Sequence, residues 1–286
     1  MIVDMDDLES VKYGRYLATQ PFRPGHAVFQ FDNLKLRMME RTAPRRYGRV
    51  VVCSEADRRF FSGRARRKTL VVPNGVSSDL LARPRAEDME ATLAYVGTMS
   101  YEPNVDACVW FVREIFPDVV ARVPHVRLYL VGNDQRQRLA ALHDGARVIV
   151  TGRVRDVTPY VAQATLSVVP LRVGGGTRIK ILESLALGTP VVSTTVGAEG
   201  LDVVPGRHIR LADTPRDFAE AVVSLMRDPE ARRAMSAAGR SLVAERYTWE
   251  TIGASLKAEL EGWLQERERG LSRAVPRSVP GQAAWK

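Results

Sequence analysis

The run Leu166-Ser167-Val168-Val169-Pro170-Leu171-Arg172-Val173-Gly174-Gly175-Gly176-Thr177-Arg178-Ile179-Lys180-Ile181-Leu182-Glu183-Ser184-Leu185-Ala186-Leu187-Gly188-Thr189-Pro190-Val191-Val192-Ser193 decides how the 286-residue chain is read. A short apolar run at 166–169 has the length and β-branched character of a buried strand. A glycine-rich loop leads into an apolar helix at 179–187. Gly188-Thr189-Pro190 stops that helix and turns the chain into a second strand at 190–193. Strand, crossover helix and strand at this spacing make a right-handed parallel unit.

The same unit recurs outward from this run. Further buried strands are expected at 69–72, 92–96, 126–131 and 148–150. Helical patterns with apolar residues three and four apart fall at 105–120, 139–142, 157–162 and 218–226. Repeated units of this kind predict an α/β fold, a doubly wound parallel sheet with helices on both faces. Residues 69–244 are assigned to this Rossmann-like domain and 245–268 to a closing C-terminal helix; the helical pattern itself, one or two helices, runs over 242–264. Residues 269–286, rich in Pro, Arg and Gly, are expected to be a disordered basic tail.

Residues 1–68 read differently. A strand at 1–5, a helix at 8–17, a basic helix at 34–46, a strand at 49–53 and a helix near 55–61 suggest the last part of another α/β domain. The segment is expected to be too short to close a sheet of its own. Its remainder would precede Met1 or come from another chain.

Composition narrows the function. Apolar residues make up 45% and charged residues 26%, the balance of a soluble globular protein. The acidic start and the lack of a long apolar run argue against a secretory signal and a membrane span. Cys53 and Cys108 lie in apolar segments and read as buried thiols of a reducing cytoplasm. The four histidines (His26, His125, His143, His208) have no metal-ligand spacing, so no metal site is expected. The net charge of +9 sits at the ends: 15 Lys/Arg against 8 Asp/Glu over 1–70, and 5 against 1 over 267–286. The body between carries 22 against 24, which argues against nucleic acid as partner.

In an open parallel sheet, ligands bind at the carboxyl ends of the strands. Here those ends carry Gly97-Thr98, Gly132-Asn133, Thr151-Gly152-Arg153 and the run Gly174-Gly175-Gly176-Thr177. The last feeds a helix N-terminus, whose free N–H groups and positive dipole end suit an anion such as phosphate. Arg178 and Lys180 oppose the dipole in the first turn, which makes sense with an anion between them; two solvated charges are the alternative. Glu183 is the only carboxylate of its helix. It either reaches a hydroxylated part of the ligand or belongs to the polar face.

Pro73-Asn74-Gly75-Val76, Tyr95-Val96-Gly97, Val131-Gly132, Thr151-Gly152-Arg153-Val154 and the stretch from Ile181 to Val192 together resemble the C-terminal half of family 4 glycosyltransferases of the GT-B fold. The resemblance spans residues 45–266. It implies transfer of a sugar from a nucleotide-sugar donor to a glycan or lipid-linked acceptor, with retention, without metal and with no cofactor. By the same resemblance Glu183 takes the ribose hydroxyls, and the backbone at Gly152 and Arg153 faces the base. Gly97, Thr98, Gly174, Gly175, Gly176 and Thr177 complete the donor site, with Arg178 and Lys180 as the catalytic cations.

Three departures accompany it. Gly175 stands where the family often has a glutamate, Thr98-Met99 and Tyr101 to Asn104 stand where its basic pair lies, and Asp4-Met5-Asp6-Asp7 stands where a histidine is common. Most of an N-terminal acceptor domain is missing by the same comparison. A second chain completing that domain is therefore an expected partner. The basic helix at 34–46 is either a peripheral contact with the inner face of the membrane or an ordinary solvated helix. Two other readings remain: a non-catalytic nucleotide-sugar-binding or partner-docking module, and a sugar-nucleotide epimerase, for which the glycine loops lack a carboxylate set.

Overall fold

A computed structural model describes residues 1–19, 26–83, 89–135 and 137–274. The chain begins with β1 (Ile2–Asp4), the helices α1 (Glu9–Thr19) and α2 (His26–Arg46), and β2 (Arg49–Val52). Two short helices, α3 (Glu55–Arg58) and α4 (Gly63–Arg67), then lead to β3 (Thr69–Val71). The strands form a parallel three-stranded sheet in the order β1-β2-β3. Its core is small: Leu8, Ala43, Val50, Val52 and Phe61. Glu40 on α2 is buried and accepts both the backbone N–H (3.0 Å) and the hydroxyl of Ser10, which ties α2 to the start of α1.

After α5 (Asp79–Ala82) comes the larger lobe. It runs through β4 (Met89–Val96), α6 (Glu102–Trp110), α7 (Phe116–Arg122), β5 (Arg127–Val131), β6 (Val148–Gly152), α8 (Thr158–Ala162), β7 (Ala164–Val169), α9 (Ile179–Ala186), β8 (Val191–Ser193) and β9 (Arg210–Leu211). The six strands are all parallel, in the order β6-β5-β4-β7-β8-β9. This is the doubly wound arrangement, with winding reversing between β4 and β7. Leu93, Leu128, Leu130, Leu166, Val168, Val191 and Val192 are buried within it. Ile181, Leu182, Leu185 and Ala186 bury one face of α9, as their spacing predicts.

Several expectations shift. Thr69–Val71 was expected to open the larger sheet, at the 68/69 boundary, yet it pairs with β2 in the smaller one. A β-branched run marks a buried parallel strand without saying which sheet receives it. The segment 1–68, expected to be too short for a sheet, supplies two of those three strands. The single helix expected at 105–120 is two, joined by a wider π turn at Phe111–Ile115. Pro117 follows that turn; its ring and missing N–H do not fit a regular α-helix interior, and the wider turn accommodates both. The helical pattern at 139–142 is a single 3-10 turn, Ala140–Leu142.

Beyond the sheet, α10 (Pro215–Arg227) and α11 (Pro229–Arg246) pack on the larger lobe. The last helix, α12 (Trp249–Ala274), returns to the smaller one. Its Trp263 ring lies against Gly48 and under the Arg49 guanidinium, 5.2 Å from the ring centroid. At its start, Val76 donates its N–H to Tyr247 O (2.8 Å) and its carbonyl accepts from Trp249 (3.2 Å). The helix extends into residues expected to be a tail, and the remainder of that tail lies outside the described residues. Both cysteines are free and buried.

The ends of β4 and β5 approach so closely that a side chain at Gly132 has no room. A Cβ there, at φ +146°, would lie 1.9 Å from the Gly97 carbonyl oxygen. Gly132→Ala should therefore lose about 2–5 kcal/mol of stability, the sum of a strained φ and overpacking. A denaturant titration reads this loss; a cost under about 1 kcal/mol would contradict the packing described.

A candidate anion-binding site at the carboxyl edge of the larger sheet

Where winding reverses, the loops after β4 and β7 leave in opposite directions and open a crevice. Gly97 and Thr98 line one side; the loop from Pro170 to Arg178 lines the other and ends at the N-terminus of α9. The loop backbone is unlike that of an ordinary turn. Gly174 has φ +145° and Gly176 φ +78°, values that side-chain-bearing residues rarely adopt.

Lys180, in the first turn of α9, is the cation of this crevice. Its ammonium donates to Tyr95 Oη and Asn104 Oδ1, both at 3.0 Å, and lies 4.3 Å from the Tyr95 ring centroid. Tyr95 in turn donates to Asn104 Oδ1 at 2.8 Å, and Asn104 Nδ2 donates to Thr98 O at 2.9 Å. The amine also stands 3.1 Å from where a Cβ of Gly97 would be, so glycine there leaves room for it. Burial pulls the Lys180 amine down to about 7, with the Arg178 cation pushing the same way and Cys108 and Glu183 opposing.

Arg178 takes a different place from the one expected. It is 6% exposed, and its guanidinium turns back to donate to the carbonyls of Gly175, Gly176 (3.1 Å) and Val196 (3.4 Å). Its Nε is buried without an acceptor. Burial also lowers its pKa. The side chain thus fixes the glycine loop from beneath. Glu183 follows Lys180 by one turn, half-buried, with no side-chain hydrogen bond among the described residues. Burial raises its carboxyl pKa, and Lys180 opposes the rise.

Gly152 and Arg153 lie at the end of β6, outward of β5 on the same edge. Gly152 has φ +66° with open space where a Cβ would be, and Arg153 is exposed. The structure thus brings Gly97, Thr98 and Lys180 together through Tyr95 and Asn104, with the glycine loop and Thr177 leading into the same helix. Glu183 lies one turn along it, and Gly152 and Arg153 lie two strands away on the same sheet edge.

Sequence reasoning missed the opposite wall. Asn74 bridges Asp6 Oδ1 (2.9 Å) and Thr177 Oγ1 (3.3 Å). Arg15 makes a two-pronged ion pair with Glu199, one contact at 2.8 Å. The stem of Lys12 lies against Gly175, 2.9 Å from where its Cβ would be, and the Asp7 carboxylate lies against Gly176. Two cavities of about 240 Å³ each share Lys12 as a wall. One reaches Gly175–Thr177 and Glu199, the other Tyr101, Val173 and Gly174. Only the run of three acids at Asp4, Asp6 and Asp7 marked this wall in the sequence, and alternation alone does not say that it faces a loop of the other lobe. Asp6, Asp7 and Cys53 bring one ligand atom each within 4.8 Å of one another. Burial raises the pKa of that thiol.

A sheet of order β6-β5-β4-β7-β8-β9 with its switch point faced by a second α/β lobe is the two-lobed GT-B type of fold. Residues 90–228 match the family model described as "Glycosyl transferases group 1". Over 205 residues the chain is 28% identical to a GDP-mannose-dependent monoacylated alpha-(1-6)-phosphatidylinositol monomannoside mannosyltransferase of Corynebacterium glutamicum, covering 65% of this chain and 54% of that protein. In fold it resembles sucrose-phosphate synthase from Thermosynechococcus elongatus, with TM-score 0.67, 22% identity, and coverage of 93% of this chain and 68% of the other. It also resembles Anabaena HepE in complex with UDP and glucose, with TM-score 0.63, 18% identity, and coverage of 91% and 71%. The chain spans about half the length of the curated relatives it matches. No helix among the described residues is long and apolar enough to cross a membrane.

Lys180 should titrate in the free protein near its depressed value, cationic below about pH 6 and neutral above about pH 8. Competitive amine labelling across pH reads this directly; an ordinary lysine value near 10 would contradict the packing around Tyr95 and Asn104.

Proposed function

We propose that this chain carries the donor-binding half of a glycosyltransferase and moves a hexosyl group from a nucleotide-sugar to a glycan or lipid-linked acceptor, with retention, without metal and without a cofactor. The observation that carries the reading is the three-glycine loop opening onto α9 beside Lys180, at the β4/β7 switch point. Free N–H groups and a positive helix end suit a diphosphate. Glu183, one turn along, has the position for ribose hydroxyls, and the rim at Gly152 and Arg153 that for the base.

The chemistry follows from charge. As the bond from the sugar to the diphosphate breaks, the sugar becomes oxocarbenium-like and negative charge grows on the leaving oxygens. Loop N–H groups and the Lys180 ammonium are oriented before the reaction, so they stabilise that charge more than they stabilise the bound donor. Arg178 acts through the loop: by holding the Gly175 and Gly176 carbonyls it keeps the N–H groups aimed outward, a positioning role in place of the direct catalytic one expected from sequence.

The acceptor side rests on the smaller lobe. The mannosyltransferase relative is named for a phosphatidylinositol acceptor, which favours a lipid-linked one. Exposed Val28, Phe29, Phe31, Leu34, Met38 and Met39 on α2, beside Lys35, Arg37 and Arg41, suit peripheral contact with an anionic membrane face in the cytoplasm. A second chain completing the smaller sheet fits the same surface. A second reading is a non-catalytic nucleotide-sugar-binding or partner-docking module; transfer by the chain would exclude it.

Calorimetric titration with UDP, GDP, ADP and CDP tests the reading. Selective binding of one nucleotide is expected, weakened about 10- to 100-fold in Glu183→Ala, the scale of hydrogen bonds to a charged group. Binding should also weaken as pH rises from 6 to 9, because Lys180 loses its charge. The bound anion favours the ammonium, so that loss is centred above 7. Absence of binding to all four would overturn the reading.

A further inference from the structure

The glycine loop offers a sugar donors but no carboxylate, and the nearest carboxylate belongs to the other lobe. A Cβ at Gly176 would lie 2.4 Å from Asp7 Oδ2 and 2.7 Å from Oδ1, so the acid rests directly on the loop backbone. We propose that Asp7 recognises the transferred sugar, accepting hydrogen bonds from its hydroxyls from across the cleft while the loop and α9 hold the diphosphate. This rests on the nucleotide-sugar reading and names a specificity-determining residue within it.

Asp7 is placed there by a fixed turn. Asp6, at φ +45°, donates its N–H to Asp4 Oδ1 at 3.0 Å, and its carbonyl accepts from Cys53 N at 3.1 Å. The Asp6 carboxylate is held by Asn74, which also reaches Thr177 on the loop. The turn after β1 and the start of α9 are therefore linked through one amide. Asp7 follows Asp6 and is carried against the backbone of Gly176.

Its present partners are weak. The Cys53 thiol stands at 3.5 Å, and the Lys12 ammonium at 3.8 Å, beyond hydrogen-bond reach. Lys12 gives its hydrogen bond to Glu9 at 3.0 Å instead. Burial raises the Asp7 carboxyl pKa, with Asp6 adding to the rise. The other acid facing the loop, Glu199, is already engaged by Arg15. Asp57 and Glu9, which line the two cavities beside the loop, are engaged by Ser54 and Lys12. Among the described residues at this loop, Asp7 is thus the acid with the weakest partners. A hydroxyl-rich sugar beside the diphosphate matches it, since hydroxyls donate to a carboxylate whereas phosphate oxygens do not.

The test compares nucleotide and nucleotide-sugar on one protein. Affinities of wild type and Asp7→Asn are measured for GDP against GDP-mannose and for UDP against UDP-glucose, with thermal melting as a check of folding. Asp7→Asn should weaken binding of the preferred sugar nucleotide about 10-fold or more and leave the matching free nucleotide within about twofold. Equal weakening of both would make Asp7 a latch between the lobes, and an unchanged sugar nucleotide would remove it from recognition. Either result overturns the proposal while nucleotide binding still supports the donor site. Absence of nucleotide binding by wild type overturns both.

Discussion

The reversal of winding between β4 and β7 is the constraint on which the rest of the structure depends. On either side of that line the connections leave in opposite directions, so no crossover covers the carboxyl ends of the two central strands. Backbone has to face the gap, and an N–H that faces a gap needs a partner. Glycine at 97 and 132 lets the ends of β4 and β5 approach one another, and Gly174 and Gly176 let the loop after β7 turn with positive φ. Arg178 then satisfies the carbonyls of Gly175 and Gly176 from below. Fold and site are one arrangement here, because the crevice that the topology opens is lined by the groups that the loop cannot pair internally.

The two cations of the first helical turn show how similar residues take different work. Arg178, with a rigid guanidinium and several donors, spans three carbonyls and acts as a brace. Lys180 is a single charge on a flexible stem. Held by Tyr95 and Asn104, its buried amine is pulled down to about 7.

Much of this was legible in the sequence. The apolar runs of β5, β7 and β8 and the amphipathic spacing of α9 state their elements directly, and the glycines after β4, β5, β6 and β7 mark the functional edge. What local pattern did not show were relations between distant segments. Thr69–Val71 looks the same in either sheet, and its hydrogen bonds to β2 decide which. The π turn before Pro117 answers a steric problem that periodicity averages away. Local pattern does not show that Lys12 and Asp7 lie against Gly175 and Gly176 of the other lobe. Arg178 read as a ligand for phosphate because a sequence shows charge and not direction.

The central claim is that the anion site lies at the N-terminus of α9. A crystal structure of the chain with bound GDP or UDP tests it most directly. The account predicts the diphosphate seated on the backbone N–H groups of Gly174 to Thr177 with Lys180 beside it, and the ribose at Glu183. A nucleotide held elsewhere, with the glycine loop and Lys180 still in the contacts described, would contradict it.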